Sequence, residues 1–439
     1  MSPDSSALFT DQYELTMLRA ALADDSAHRR CSFEVFARRL PDGRRYGVVA
    51  GASRLVSALS NFRFGDAEIE VVSRFLDDAT IGWLRDFRFT GDIDGYREGD
   101  FYFPGSPILS VRGTFAECIL LETLSLSILN HDSAIASAAA RMVTAADGRP
   151  MIEMGSRRTH EESAVAASRA AYLAGFTATS NLEAVRRHGV PGAGTAAHAF
   201  TLLHTTADRP DEAAAFRGQV AALGVGTTLL VDTYDITDGV KTAVEIAGPE
   251  LGGVRIDSGD LGVLARQVRR QLDDLGATRT KIVVSGDLDE YAIAALRSEP
   301  VDVYGVGTSV VVGSGAPTAG MVYKLVEVDG IPVEKRSSNK ASRGGAKRAV
   351  RVSRDTGTLV EEVVYSAHSD PPDAAGLEAR ELLIPLVRGG VPAPGTTNLE
   401  GGRSLLAAGF VSLPWEGLKL SRGEPAIPVR FTDSGSRRT

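Results

Sequence analysis

The stretch from Thr227 to Thr308 decides the fold, because four short apolar runs recur in it: TTLLVDTYD (227–235), GGVRIDSGD (252–260), KIVVSGD (281–287) and VDVYGVGT (301–308). Each run is rich in β-branched or apolar residues and ends in a polar or glycine-rich cluster. A stretch with amphipathic character follows each of the first three. Strands that alternate with helices in this way predict a parallel sheet.

Three similar runs precede this stretch: MIEMGSRR (151–158), FTATSN (176–181) and GTAAH (194–198). The strand-like part of each of the seven runs ends at one of seven positions, spaced about 25 residues apart on average: Gly155, Ser180, His198, Asp232, Asp257, Gly286 and Gly307. A regular eight-stranded barrel of 250 residues uses ~31 residues for each unit. The sequence therefore predicts an α/β fold with an irregular, seven-stranded α/β barrel over residues 151–318.

The flanking regions have a different pattern. Residues 1–150 mix strand-like segments with a long helix-like stretch at 115–146, and residues 319–439 contain strand-like pieces separated by turns. We predict an N-terminal α/β domain of the α+β sandwich type, completed by the C-terminal segment. The tail beyond Thr432 is expected to be frayed.

Composition excludes several classes of protein. The 439 residues carry 48 Lys and Arg against 56 Asp and Glu, a net charge of −8, which disfavours a cationic nucleic-acid-binding surface. Cys31 and Cys118 cannot form a disulfide framework, so a reducing, cytoplasmic location is favoured. The N-terminus does not resemble a signal peptide. The uncharged run 303–323 contains five glycines and Pro317, so no membrane association is expected from it.

Reactive side chains cluster where the runs end, which is where ligands meet the strands of β-α barrels. A single Asp after a strand is more often a helix cap, but seven polar ends together favour a functional edge. The turns at 285–287 and 305–309 are glycine-rich and suit phosphate, with the Thr308 hydroxyl beside them. The other side chains at this edge are Arg157, Arg158, Thr195, His198, Asp232, Asp235, Arg255, Asp257, Asp260 and Asp287.

Three features leave alternatives open from the residues alone. His198 is either a core histidine or a base or nucleophile that Asp232 holds by one ring nitrogen. The arginines at the strand ends either bind an anionic substrate or pair with nearby carboxylates. A basic cluster without interleaved aromatics is either a solvated face, which we favour slightly, or a polyphosphate contact, and comprises Lys335, Arg336, Lys340, Arg343, Lys347, Arg348 and Arg351.

Eight motifs, in order, resemble those of the nicotinate phosphoribosyltransferase family, from about residue 8 to 350. They are TDQYELTM (10–17), ETLSLSILNHDS (122–133), MGSRRTH (154–160), GTAAHAF (194–200), LVDTYD (230–235), RIDSGDL (255–261), SGDL (285–288) and GVGTS (305–309). The resemblance implies a type II phosphoribosyltransferase that joins nicotinate to phosphoribosyl pyrophosphate in NAD salvage. It also implies ATP as co-substrate through a phosphohistidine, Mg²⁺, and a homodimer with shared active sites.

The same resemblance implies a role for each matching residue. His198 corresponds to the phosphorylated histidine and Asp232 to the carboxylate that orients it. Tyr13 corresponds to an aromatic residue that stacks on the pyridine ring from the partner subunit. The remaining roles are substrate-ring contacts for Arg157, Thr195 and Arg255, proximity to ribose and Mg²⁺ for Asp257 and Asp287, and a phosphate cradle of Gly286, Gly307 and Thr308.

Nicotinate is favoured over nicotinamide at the second strand end. Relatives that bind the amide carry an Asp there, whereas this chain has Thr179, Ser180 and Asn181. A carboxylate would accept from the amide and repel the acid. Nicotinamide phosphoribosyltransferase and a non-catalytic nucleotide-binding barrel are the alternatives. The second would be expected to lose His198, Asp232 or Arg255, and all three are present.

Overall fold

The computed structural model describes residues 5–207, 209–335, 343–395 and 398–432. The chain divides into two compact units, one formed by residues 1–137 with 316–439 and the other by residues 138–315. The boundary between residues 137 and 138 falls inside the helix Glu122–Ala146. The sequence pattern instead predicts domain boundaries at residues 150 and 318.

The helices, in chain order, are α1 Gln12–Ala23, α2 Ala52–Ser60, α3 Asp66–Val72, α4 Asp78–Asp86, α5 Phe115–Ile119, α6 Glu122–Ala146, α7 Glu161–Ala174, α8 Leu182–His188, α9 His198–Leu203, α10 Glu212–Leu223, α11 Ile236–Ala247, α12 Leu261–Asp274, α13 Glu290–Ala295, α14 Thr308–Val311 and α15 Leu399–Ser412. The strands are β1 Arg30–Ala37, β2 Gly47–Val48, β3 Asp92–Gly95, β4 Phe101–Tyr102, β5 Leu109–Thr114, β6 Met151–Glu153, β7 Ala178–Thr179, β8 Thr228–Leu230, β9 Gly253–Ile256, β10 Lys281–Val284, β11 Val303–Val306, β12 Met321–Val328, β13 Ile331–Pro332, β14 Lys347–Ser353, β15 Leu359–Ser366, β16 Glu378–Glu381, β17 Ile384–Arg388, β18 Val391–Pro392 and β19 Val429–Phe431.

The first unit is built on two mainly antiparallel sheets, in which only β15 and β19 of the described strands pair in parallel. Seven strands pair in the order β13-β12-β1-β5-β3-β17-β18, and four pair in the order β16-β14-β15-β19. Strand β1 lies inside the first sheet between β5 and β12, and most of its side chains are buried. N-terminal and C-terminal segments therefore share one sheet, as expected for a domain that the C-terminal segment completes.

The basic cluster is a solvated face only in part, because Lys347 and Arg351 are largely buried in the first unit. Lys347 pairs with the buried Glu34 at 2.9 Å, Arg348 pairs with Glu381, and the buried Arg351 pairs with Glu362 at 2.7 Å. The interpretation was wrong for Lys347 and Arg351, because residues four apart on β14, an inner strand, share one face, which charge density along the chain does not report. Arg348 is 34% exposed, and Lys335 and Arg343 are exposed. Arg336 and Lys340 lie outside the described residues.

The second unit contains the predicted parallel sheet. Its six strands pair in the order β7-β6-β11-β10-β9-β8, and the sheet is open and curled. Helix α12 follows the predicted period, with Ala265, Val268 and Leu272 buried, and Asp260 caps it by accepting from the Val263 N–H at 3.1 Å. The predicted alternation of parallel strands and helices is confirmed.

The strand count is six, not seven. The run 194–198 forms no strand, and only an isolated bridge between Thr179 and Gly192 links its neighbourhood to β7. Glycine and alanine are weak strand formers, and Pro191 provides no N–H for a ladder bond. The chain therefore crosses this part of the half-barrel as a loop, which ends where α9 begins at His198.

Neither cysteine forms a disulfide, and both are buried. Within the part of the chain that the structure describes, no helix has the length and apolar character that a bilayer crossing needs.

Candidate active site at the carboxyl edge of the parallel sheet

All six parallel strands end at one edge of the sheet, and two of the acidic residues there are helix caps. Asp235 accepts from the Asp238 N–H at 3.0 Å and begins α11. Asp260 does the same for α12. For these two residues the interpretation as helix caps is therefore correct. Asp232 and Asp257 have other partners and belong to a polar cluster.

His198 stands at the start of α9 with its side chain 40% exposed, so it is not a core histidine. Its Nδ1 lies 3.1 Å from the hydroxyl of Thr233. Its Nε2 lies 3.9 Å from Asp232 Oδ1 and 3.9 Å from Asp257 Oδ2. The ring is therefore held at one nitrogen by a hydroxyl, while the other nitrogen faces two carboxyl groups.

Asp232 follows β8, and its side chain is 1% exposed. Its Oδ2 accepts from the Asp257 backbone N–H and from the Ser258 hydroxyl, both at 2.8 Å. Its Oδ1 is buried and has no hydrogen-bond partner among the described residues. The carboxylate thus ties the end of β8 to the loop after β9 and directs its second oxygen towards His198.

Arg255, in β9, connects three parts of the edge. Its Nε donates to the Ser285 hydroxyl at 2.8 Å, and its Nη2 donates to Asp257 Oδ1 at 2.9 Å. Its Nη1 donates to the Thr195 hydroxyl at 3.2 Å and to the Ala196 carbonyl oxygen at 3.3 Å. Since Thr195 and Ala196 belong to the loop that replaces the seventh strand, the arginine fixes that loop against the sheet.

The Asp257 carboxyl group is ionised. Burial raises its pKa, but hydrogen bonds from Ser285 and Arg255 and the Arg255 charge outweigh burial and hold the pKa below its ordinary value. Arg255 therefore follows the second of the two alternatives for the arginines, pairing with a nearby carboxylate. This pairing leaves the guanidinium within the polar cluster.

The turn after β6 carries Arg157 and Arg158, which are both exposed. A buried carboxylate, Glu153, supports it: Glu153 accepts from the Gly155 N–H, from the Ser168 hydroxyl at 2.7 Å and from the Thr179 hydroxyl at 2.5 Å. Sequence reasoning missed Glu153, although an acidic residue inside a buried apolar run was its signal.

The two glycine-rich turns lie at the ends of β10 and β11. Gly286 has φ +125°, and a Cβ there would lie 3.0 Å from the Asp257 carbonyl oxygen. Gly307 precedes α14, whose first residue is the exposed Thr308. Asp287, beside Gly286, is exposed as well. Backbone N–H groups at such turns suit the oxygens of a phosphate.

Tyr13 belongs to the other unit, on α1, and is 44% exposed. Burial, together with Glu122, Glu14 and Asp11, raises its pKa to about 12, so the phenol is neutral. The neighbouring Glu14 is fully buried and accepts from the Thr123 N–H at 3.0 Å. The helix that carries Tyr13 is thereby anchored to the start of α6.

Sequence reasoning also did not single out Thr233 and Ser258. Each directly follows a residue that it singled out, and each hydroxyl contacts that cluster. No group of three or more His, Cys, Asp or Glu side chains in the described ranges has the geometry of a metal site.

Fold and site together define a class: an open α/β half-barrel that presents an arginine, a histidine, carboxylates and glycine-rich turns to a ligand at the carboxyl edge of its strands. Residues 8–130 match the model of the nicotinate phosphoribosyltransferase N-terminal domain. The chain belongs to the nicotinate phosphoribosyltransferase family.

Its relatives cover nearly the whole chain. It is 67% identical to a nicotinate phosphoribosyltransferase of Mycobacterium tuberculosis over 430 residues, which is 97% of this chain and 95% of the relative. A second protein of that name and organism is 37% identical over 441 residues, covering 97% and 92%. The crystal structure of human nicotinic acid phosphoribosyltransferase matches with a TM-score of 0.82 and 27% identity, covering 96% of this chain and 97% of that one.

Proposed function

We propose that this protein is a nicotinate phosphoribosyltransferase of NAD salvage. The nitrogen of nicotinate attacks C1 of phosphoribosyl pyrophosphate, the bond from C1 to the pyrophosphate oxygen breaks, and nicotinate mononucleotide and pyrophosphate are released. The observation that carries the proposal is membership of the family over nearly the full length of the chain. A cytoplasmic homodimer with shared active sites, Tyr13 being provided by the partner, is part of the same proposal.

Arg255 is the residue we assign to the nicotinate carboxylate, with Thr195 beside it and Arg157 as a further ring contact. The two longest hydrogen bonds of Arg255, both from Nη1, go to Thr195 and Ala196. A carboxylate can replace these neutral acceptors in a charge-assisted bond. The bonds from Nε and Nη2 meanwhile keep the guanidinium in place, so the arginine is oriented before substrate binds.

The second strand end supports nicotinate over nicotinamide. Asn181 accepts from the Ala184 N–H at 2.9 Å and donates to the Ser156 hydroxyl at 3.1 Å. Thr179 donates to Glu153. Neither residue presents a free carboxylate to an amide NH₂, so a nicotinamide would gain no acceptor there.

The departing pyrophosphate leaves a ribose with oxocarbenium character, which nearby carboxylates stabilise. We assign Gly286, Gly307 and Thr308 to the phosphate oxygens. Mg²⁺ fits the donor set, because Asp257 Oδ2 is not used by Arg255 or Ser285 and Asp287 is an exposed carboxylate. Mg²⁺ is commonly held by one or two carboxylates and substrate phosphates, and it would neutralise charge on the leaving group.

ATP coupling is assigned to His198. Thr233 holds Nδ1, and when Nδ1–H donates to that hydroxyl, Nε2 has the lone pair of a nucleophile. Attack on the γ-phosphorus of ATP forms the N–P bond as the bond to the ADP oxygen breaks, and hydrolysis of the phosphohistidine later releases phosphate. Asp232 and Asp257 lie on the same side as Nε2 and orient the ring.

The test is formation of mononucleotide from phosphoribosyl pyrophosphate and Mg²⁺ with nicotinate, nicotinamide or quinolinate, each with and without ATP. Wild type and His198→Ala are compared. We expect turnover with nicotinate, stimulated by ATP only when His198 is present. Preference for nicotinamide, or no turnover with nicotinate, nicotinamide or quinolinate, contradicts the substrate assignment. Stimulation that survives loss of His198 contradicts the phosphohistidine.

A further inference from the structure

Glu212, the first residue of α10, has no part in the mechanism described so far. Its Oε1 is buried and has no hydrogen-bond partner in the described ranges. Its Oε2 lies 3.3 Å from the point where a Cβ on Gly239 would be, and the carbonyl oxygen of Val231 lies 2.4 Å from the same point. The carboxyl group is therefore beside the residue that immediately precedes Asp232.

Asp232 has a matching feature. One of its oxygens accepts two hydrogen bonds, whereas Oδ1 is buried without a donor and faces His198 Nε2 at 3.9 Å. Two neighbouring carboxyl groups, each with a buried oxygen that lacks a donor, are unfavourable as two anions. A proton on one of them removes one of the two charges.

The surroundings of Glu212 are acidic. Burial, followed by the charges of Asp232, Asp238 and Asp235, raises the pKa of Glu212 to about 7. Glu212 therefore holds a proton at pH values below about 7. Titratable or charged groups also lie on the elements packed around Glu212. On α9 and at its end these are His198 and His204. On its own helix, the N-cap Asp211 and Arg217 approach each other at 3.9 Å, and on α11 Lys241 extends towards Glu245.

We propose that Glu212 is a positioning residue of the active site, which carries a proton during turnover and so keeps a neutral carboxyl group, rather than another negative charge, beside the end of β8 that leads to Asp232. The proposal rests on the proposed function, since the site must receive a pyrophosphate and, at His198, a phosphoryl group. Both are anions, and a second ionised carboxylate next to Asp232 would oppose them.

The direction of the pH effect follows. Glu212 is protonated below about pH 7 and ionised above it, so the rate that depends on it falls as the pH rises. Glutamine is a neutral analogue of the protonated side chain at every pH. For one titration near pH 7, the protonated fraction falls roughly tenfold between pH 6 and pH 8, and Glu212→Gln abolishes that fall.

The experiment is the pH profile of ATP-stimulated kcat/KM for phosphoribosyl pyrophosphate, in wild type, Glu212→Gln and Glu212→Ala. We expect the ratio of Glu212→Gln to wild type to rise by roughly tenfold from pH 6 to pH 8. Glu212→Ala also lacks the ionisable group, so its ratio to wild type should rise over the same pH range. The control is Glu245→Gln, the same chemical change at a side chain that is 60% exposed on α11, and its profile should follow wild type.

A second variant retains the glutamate and therefore does not depend on the folding of Glu212→Gln. Asp238→Asn removes one of the charges that raise the Glu212 pKa, so the decline in rate should begin at lower pH than in wild type. A decline that does not move, or that moves to higher pH, contradicts the proposal. So does a Glu212→Gln profile that stays parallel to wild type within twofold.

Thermal unfolding separates this inference from the proposed function. The folded-state pKa of Glu212 lies above the ordinary value, so wild type loses stability as the pH rises from about 4.5 to about 7. Glu212→Gln lacks this loss, and its Tm relative to wild type should increase over that window. Parallel Tm curves for the two proteins overturn the proposal even if nicotinate is the substrate. A Tm difference that rises with pH supports the proton on Glu212 even if nicotinate is not the substrate.

Discussion

Replacing Arg255 with lysine tests whether the guanidinium fork, rather than a positive charge alone, organises the active site. The side chain is 13% exposed and makes four hydrogen bonds, to Ser285, Asp257, Thr195 and Ala196. A lysine ammonium is a point charge on a flexible stem and reaches Asp257 at best. The bonds that fix the 194–198 loop to β9 and β10 are then lost.

The size of the effect follows from the bonds that disappear. Loss of two or three hydrogen bonds at about 1 kcal/mol each costs roughly 2–3 kcal/mol. Since 1.36 kcal/mol is a factor of ten in rate, kcat/KM for nicotinate should fall roughly 30- to 150-fold. The positive charge is retained, so KM for phosphoribosyl pyrophosphate should change less than KM for nicotinate.

The assay is steady-state formation of mononucleotide, with thermal unfolding measured in parallel. Arg266→Lys is the matched control, because Arg266 belongs to the same β-α unit, is 51% exposed and pairs only with Glu299 at the surface among the described residues. It should stay within twofold of wild type. If Arg255→Lys also stays within threefold, with an unchanged KM for nicotinate, the account of Arg255 is refuted.

Three other substitutions have defined outcomes. Thr233→Val removes the hydroxyl at His198 Nδ1, and at about 0.5–1.5 kcal/mol it should reduce the ATP-stimulated rate roughly 2- to 12-fold without changing the rate in the absence of ATP. Lys347→Met removes the cation that pairs with the buried Glu34, which costs about 3 kcal/mol or more at pH 8 by thermal unfolding. Burial raises the pKa of Glu34, so the carboxyl group takes up a proton as the pH falls and the loss should be smaller at pH 5. Gly252→Ala places a Cβ 2.1 Å from a backbone carbonyl oxygen, and the forced shift at the start of β9 should lower stability by about 1–3 kcal/mol.

Each of these predictions has a control and an opposing result. Gly226→Ala meets nothing within 4 Å and should be nearly neutral, so equal melting of the two glycine variants contradicts the packing argument. Lys241→Met removes only an exposed pair. A Lys347→Met deficit that is the same at pH 5 and pH 8 contradicts the buried charge, and full ATP stimulation in Thr233→Val contradicts the role of the hydroxyl.

The parallel sheet was predictable because its signal is local. Runs such as GGVRIDSGD (252–260) and KIVVSGDLD (281–289) contain the β-branched residues, the turn glycine and the capping aspartate of a β-α unit within nine residues. The loop at 194–198 was taken for a strand because it has the right spacing and a polar end. Its glycine, its alanines and the preceding Pro191 make strand pairing weak. The spacing between successive runs contains no information about this weakness.

The polar cluster was predictable where a side chain lies at or just after the end of a strand, as Asp232, Arg255 and Asp257 show. Glu212 was not, because it comes 20 residues before Asp232 and begins a helix, where a glutamate is unremarkable in sequence. Only the packing of α10 against α11 brings it to the end of β8. Contacts between elements distant in sequence have no local pattern.

A crystal structure with nicotinate mononucleotide tests most directly the claim that the carboxyl edge of the six-stranded sheet is the active site. The account predicts the pyridine carboxylate at Arg255 Nη1 and Thr195, and the phosphate at the turns of Gly286 and Gly307. A mononucleotide bound with its carboxylate away from Arg255, or at another edge of the fold, would contradict it.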